Sequence, residues 1–343
     1  MFYPLFTFIS YVIVAPCFIE SKSPALNVIH IIVDDLRAEL SHAYGVPHMY
    51  TPNFDRISKK GVTFDHAYSQ YAVCGPSRNS FLSGRRPDAS RSWNMINSFR
   101  EDHPDWTSLP GLFKKAGWNS FGSGKVYHPF VPPFEDGNKS WSPESLPFSN
   151  PCYDFGLSCV PCVDTNGTHI IPKCIDDGFG PGPVSTCWCE VEAVEDILTV
   201  DKALNLLDIA LDNYKKDPST GFYVAIGLHK PHLPWQAAKK YFDFYRNQSL
   251  PLALHKLAPS GMPDVAFTNM QHPFTSPWQP ILDEQARTAR IGYYAALSGV
   301  DEQLGRILDA LDVSVFLYYY LVSFFSCLSH AYFFVCQLIL VFQ

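Results

Sequence analysis

Positive charge is in short supply: 26 Lys and Arg stand against 33 Asp and Glu, for a net charge of -7. A nucleic-acid partner wants a basic face, so this balance excludes bulk binding to DNA or RNA. It leaves room for an anionic substrate wherever a few cations converge in one pocket. Internal repeats are absent. Cysteine is nearly missing from the first half, where Cys74 stands alone between Cys17 and Cys152. Both ends lack charge in telling places. The opening run MFYPLFTFISYVIVAPCFIES has no basic n-region, and residues 313–343 contain no Asp, Glu, Lys or Arg.

Apolar material is plentiful. With 343 residues, 47% hydrophobic and 15% aromatic, the chain can bury a sizeable core and is not a disordered protein. Its length suits one large α/β domain or two ordinary ones. An apolar run followed by small and polar residues makes residues 1–21 a secretory signal peptide, with a retained anchor as the alternative. Sequons at Asn138, Asn166 and Asn247 agree with export. Cys152, Cys159, Cys162, Cys174, Cys187 and Cys189 crowd a Pro/Gly-rich insertion over residues 150–190. In an exported chain these six predict three disulfides, with a zinc site through Cys159 and Cys162 as the alternative. An even cluster leaves Cys74 unpaired.

The run ALNVIHIIVDDL over 25–36 is continuously apolar, rich in β-branched residues, and ends in two carboxylates. That is the pattern of a central strand buried on both faces of a parallel sheet. A short helix is predicted from Pro52 to a stop at Gly61, then a strand, and a helix from Ser77 through Leu82. Another helix ends near Gly117 and is followed by a strand and a loop carrying Lys125 and His128. An amphipathic segment precedes GFYVAIGL, a second buried strand that runs into HKPHLPW, and residues 283–312 form a last amphipathic helix. Alternating strands and helices predict an α/β domain with a mostly parallel central sheet flanked by helices. Ligands of such sheets sit beyond the carboxyl ends of the strands. Asp34, Asp35, Cys74, Lys125, His128, Lys230 and His232 are all expected at that edge.

Each group has a plain reading beside a chemical one. The Asp34–Asp35 pair suits a turn with a helix cap, or a site for Ca²⁺ or Mg²⁺, which take oxygen ligands. Cys74 heads CGPSR, where a thiol at a helix start has a lowered pKa with or without a role. Arg78, one turn on, could fork onto a sulfate or phosphate. Lys125 and Lys230 suit solvent or an anion, and His128 and His232 suit a core or a proton transfer.

The motif Cys-x-Pro-Ser-Arg with the following LSGRRP resembles the signature of the sulfatases, whose fold is similar to that of alkaline phosphatase. TPNFDRISKKGVTFDHAY and GWNSFGSGKVYH resemble the family's flanking motifs, with Trp118 where a tyrosine is usual. GKVYHP, GLHKPHLPW and YYAALSGVDEQLGRILDALD are most similar to the iduronate-2-sulfatase branch. The resemblance runs from Ala25 to Asp312. It implies that Cys74 is oxidised to formylglycine by the formylglycine-generating enzyme, and that the aldehyde hydrates to a diol. One hydroxyl then attacks the sulfur of a sulfate ester and the sugar alcohol leaves. Loss of the second hydroxyl's proton expels sulfate and restores the aldehyde. It further implies one Ca²⁺ held by Asp34, Asp35 and residue 74, with Arg78 orienting the formylglycine. Lys125 and Lys230 would bind sulfate oxygens, and His128 and His232 would pass a proton to the leaving oxygen. The substrate implied is the 2-O-sulfate of a uronic acid in heparan or dermatan sulfate, met in the lysosome or outside the cell. A related phosphodiesterase would carry Ser or Thr in place of Cys74.

The family pattern continues past Asp312 into a strand bearing a further acidic ligand. Here the apolar tail 313–343 follows instead, opening on Val-Ser, the in-frame translation of a splice-donor sequence. It is therefore expected to be translated intron, with a membrane anchor as the alternative. The catalytic domain over 25–312 is expected to be incomplete, its C-terminal part missing and its sheet edge unpaired. Such a chain would be secreted poorly, bind metal weakly and turn over negligibly; the alternative function is a non-catalytic truncated form that keeps affinity for sulfated glycans or for the modifying enzyme.

Overall fold

A computed structural model describes residues 25–129, 131–145, 194–233, 235–263, 266 and 282–313, together with the backbone of four strands at 162–163, 169–170, 320–327 and 335–342. The signal segment, Asn166 and most of the cysteine-rich insertion lie outside the described residues. In chain order the first half runs β1 (Asn27–Asp34), α1 (Ser41–Tyr44), α2 (Pro52–Lys60), β2 (Val62–Ala67), α3 (Cys74–Ser83), α4 (Pro87–Ser90), α5 (Phe99–Asp102), α6 (Leu109–Lys115), β3 (Asn119–Gly124) and α7 (Gly137–Ser140). The two-residue strands β4 (Cys162–Val163) and β5 (His169–Ile170) form a ladder of their own. Then come α8 (Val194–Lys216), β6 (Phe222–Leu228), α9 (Lys239–Arg246), α10 (Asp283–Val313), β7 (Tyr320–Cys327) and β8 (Val335–Phe342).

The sheet has the order β2-β8-β7-β1-β6-β3, parallel from β7 through β3, with β8 antiparallel to both of its neighbours. Every residue of β1 is buried. Ile29, Ile31 and Val33 pack with α2, α8, α9 and α10 on one face, while Val28 and Ile32 join Leu82, Phe99, Trp141 and Tyr223 on the other. Two covered faces explain why the strand reads as a continuous apolar run. The period of two then puts Asp34 on the face shared by Val28 and Ile32, the side where α3 lies.

The tail departs from expectation. Backbone of residues 320–327 pairs with the whole of β1, from Asn27↔Tyr320 to Asp34↔Cys327, and β8 closes the space to β2. A charge-free run rich in aromatic and β-branched residues suits a pleated surface, so the edge of β1 is paired rather than bare. Strand β7, YLVSFFSC, contains no Asp or Glu, so the acidic ligand expected on it is not there. Among the described residues no helix is long and apolar enough to cross a membrane.

Candidate active site

The first turn of α3 and the end of β1 meet under the sheet's carboxyl edge. The helix begins at Cys74 itself, three residues earlier than predicted, so Pro76 is its third residue. Cys74 and Arg78 stand four apart and share a face. Both are buried against Asp34: the Cys74 thiol donates to Asp34 Oδ1 at 3.4 Å, and Arg78 Nη2 lies 3.2 Å from the same oxygen. The Lys125 ammonium pairs with Asp34 Oδ2. Arg78 Nη1 also donates to the carbonyls of Lys125 and Val126, tying α3 to the loop after β3. That loop crosses β6 at Gly227, where an added Cβ would lie 2.1 Å from the Lys125 carbonyl carbon, so only glycine lets Lys125 reach Asp34.

Asp34 is fully buried, which works to raise its pKa, yet Lys125 and Arg78 hold the carboxyl well below the usual range. It is ionised at any physiological pH. Asp35 follows in a left-handed conformation at φ 59°, which aspartate tolerates better than most residues. Its carbonyl accepts from the Tyr293 hydroxyl at 2.8 Å, and its carboxylate lies 3.9 Å from His232 Nε2. Asp34, Cys74 and His232 each present one ligand atom, and these atoms lie within 4.8 Å of one another.

Both predicted histidines donate through Nδ1 to a neighbouring carbonyl, His128 to Pro129 at 2.8 Å and His232 to Leu233 at 2.7 Å. That fixes the tautomer and leaves Nε2 with its lone pair. Burial first, then Lys125 and Arg78, pushes His128 down to about 3, and burial with Lys125 holds His232 well below its usual value. In the free protein both are therefore neutral, with Nε2 able to accept a proton or a ligand. Lys230 also differs from expectation: its ammonium sits 2.6 Å from Glu195 Oε1. Glu195 takes His229 Nδ1 at 2.7 Å too, and Asp196 accepts the backbone N–H groups of His229 and Lys230. Glu195 and Asp196 carry no signal of their own in the sequence, because their acidic run resembles any helix start. His229 stands out only through the fold that sets it on Glu195.

Cys74 is in no disulfide among the described residues, and its thiol donates to Asp34. Asn138 and Asn247 are exposed. The six clustered cysteines fall outside the described residues, apart from the backbone of Cys162.

A buried carboxylate gripped by two cations, beside a helix-leading cysteine and two neutral histidines, is the arrangement to compare with known proteins. A family model described as Sulfatase matches residues 26–326. The chain belongs to the sulfatase family. It is 32% identical over 306 residues to human iduronate 2-sulfatase, covering 85% of this chain and 52% of that protein. To the N-acetylglucosamine-6-O-sulfatase of Bacteroides thetaiotaomicron it is 27% identical over 232 residues, covering 68% and 35%. It spans about half the length of the human and mouse iduronate 2-sulfatases, 52% in each case. The sulfatase fold is shared with the phosphonate monoester hydrolase of Agrobacterium radiobacter at a TM-score of 0.59 and 18% identity, covering 92% of this chain and 68% of that one. A structure in complex with its substrate D-glucosamine-2-N,6-O-disulfate superposes at a TM-score of 0.57 and 18% identity, covering 93% and 71%.

Proposed function

We propose that this sulfatase-family chain hydrolyses sulfate esters, and that its substrate is the 2-O-sulfate of a uronic acid in heparan or dermatan sulfate. One observation carries the reaction: Asp34, Cys74 and His232 converge within 4.8 Å under the buried cations Arg78 and Lys125. Similarity to iduronate 2-sulfatase supports the choice of sugar.

As formylglycine, residue 74 would supply a hydrated aldehyde, a nucleophile that can expel sulfate from within instead of waiting for water. The donor set fits a hard divalent cation in kind, since Asp34 is buried and ionised with Asp35 beside it. Asp34, Asp35 and an oxygen at position 74 would hold Ca²⁺, whose chemistry there is to polarise sulfate oxygens and acidify the attacking hydroxyl. The chain's own side chains do the rest. Arg78, locked by two carbonyls and Asp34, fixes residue 74 in place. Lys125 offsets charge on the sulfate oxygens. His128 and His232 start neutral with Nε2 free, and a bound sulfate anion favours their protonated forms. Substrate thus brings the acid that the leaving alcohol needs. We propose export through the endoplasmic reticulum to the lysosome or the exterior, with sugars on Asn138 and Asn247.

The test is sulfate release from a 2-O-sulfated uronic-acid disaccharide in Ca²⁺ buffer, with formylglycine at position 74 verified by mass spectrometry. The chain of 343 residues is compared with one whose residues 313–343 are replaced by the corresponding continuation of a relative. Release by the extended form, abolished by Cys74→Ala, supports the proposal. Failure of both forms on every sulfated sugar overturns it.

A further inference from the structure

We infer that Glu195, at the start of α8, is a positioning residue for the loop that carries Lys230 and His232; the inference rests on the sulfatase reading above. A single oxygen, Oε1, receives the Lys230 ammonium at 2.6 Å and His229 Nδ1 at 2.7 Å. All three side chains are buried, at 2%, 0% and 5% exposure for Glu195, Lys230 and His229. The next residue grips the same dipeptide by its backbone, since Asp196 Oδ1 accepts from His229 N at 2.7 Å and Oδ2 from Lys230 N at 3.1 Å. The first turn of α8 therefore holds two consecutive loop residues by both main chain and side chain.

The grip reaches the candidate site by two routes. Lysine is a flexible four-carbon stem, and a buried carboxylate is what confines its ammonium to one place. The second route runs through rings. Glu195 fixes the plane of His229, which stacks on His232 with centroids 4.9 Å apart and planes 26° apart. His232 in turn presents a ligand atom within 4.8 Å of those of Asp34 and Cys74. A buried ion pair is a poor device for stability alone, because apolar side chains of similar volume serve as well. Bridging two neighbouring loop residues through one oxygen is a device for orientation. Glu195 acts on the site through His229 and Lys230, the two side chains that its Oε1 bridges.

The experiment uses the full chain with Glu195→Gln, Glu195→Asp and Asp196→Asn, read in two ways. Ring resonances of His229 and His232 are followed by NMR, and binding of inorganic sulfate by calorimetry. Glu195→Gln is expected to move both histidines' resonances and to weaken sulfate by about 10–100-fold, by analogy with the loss of a partner that orients a metal ligand. Glu195→Asp keeps the charge and is expected to recover part of both signals. It also serves if Glu195→Gln does not fold. Asp196→Asn should disturb the loop without moving the His229 ring as far. Unchanged His232 resonances together with unchanged sulfate affinity in Glu195→Gln would overturn the inference. If the wild-type chain binds no sulfate, the His232 resonances alone decide whether Glu195 sets that ring, while the sulfatase reading stands or falls separately on the extended form.

Discussion

Arg78→Ala separates the role of the guanidinium in the fold from its role in chemistry. Arg78 is 1% exposed and lies 3.2 Å from an Asp34 oxygen, with Nη1 shared between two backbone carbonyls. Removing one partner of a buried ion pair typically costs about 3–5 kcal/mol. Lys125 remains on Asp34, so the lower part of that range applies, and the stranded carbonyls push it back up by about 1 kcal/mol or more. At about 2–4 °C per kcal/mol for a domain of 150–250 residues, melting should fall by roughly 6–15 °C. The pH dependence has a definite sign. Asp34 is depressed in the fold, so its stabilisation is fully present above the unfolded pKa and is lost as pH falls through the folded one. The gap between wild type and Arg78→Ala should therefore narrow as pH falls. It narrows first from about pH 6.5, as His128 and His30 titrate without the Arg78 charge beside them, then below about pH 4 as Asp34 protonates. Thermal unfolding followed by tryptophan fluorescence across that range is the assay. A shift under 2 °C at pH 6 would show that Arg78 does not hold α3 to the β3 loop. A gap that widens below pH 4 would refute the charge assignment of Asp34.

Three further outcomes can be checked with single variants. Cys74→Ser keeps an oxygen at the head of α3 but cannot form an aldehyde; it should stall after one turnover, with covalent sulfate on residue 74 seen by mass spectrometry, whereas steady release would contradict the internal-expulsion mechanism. His128, held at about 3, sits below its unfolded value, so it costs stability progressively as pH falls from 6.5 toward 3; His128→Gln should flatten that slope, by at most about 1.4 kcal/mol per pH unit, in urea titrations at pH 4 to 7. Asp301→Ala removes the acceptor of the Asn53 and Phe54 amides, bonds of 3.0 and 2.8 Å, and should cost about 1–3 kcal/mol and speed amide exchange in the first turn of α2; unaltered exchange there would show that the cap is dispensable.

What could be read from the sequence was what is local. β1 was legible because both of its faces are covered, so that only Asn27 and His30 interrupt the apolar run before Asp34. Pro52 and Gly61 framed α2 within a residue, and the spacing of Cys74 and Arg78 already put them on one helical face. The partners of these groups were not legible. Lys230 was read as a sulfate ligand, yet its nearest carboxylate comes from Glu195, in an acidic run that any helix start would favour. The neutrality of His128 and His232 was not legible either, since it follows from burial and from Lys125, which only the fold brings near. The tail misled for a similar reason. A run without charge satisfies a membrane helix and a strand pair equally well, and register with β1 across almost three hundred residues leaves no local mark.

The cap on α2 ties the start of the domain to its far end, and that sets a clock. No side chain within the helix's own N-terminal segment caps it, and the Asn53 amide waits for Asp301, 248 residues downstream. At about 5–20 residues per second on the ribosome, 248 residues take roughly 12–50 s to appear. Throughout that interval β1 lacks β6, then α10, and the ground beneath α3 is unbuilt. Once it is built, Cys74 is 3% exposed and its sulfur faces Asp34. If Cys74 is oxidised as proposed, the burial of its side chain sets a deadline: the oxidation is expected on a chain still emerging or just released, before the fold closes over the thiol.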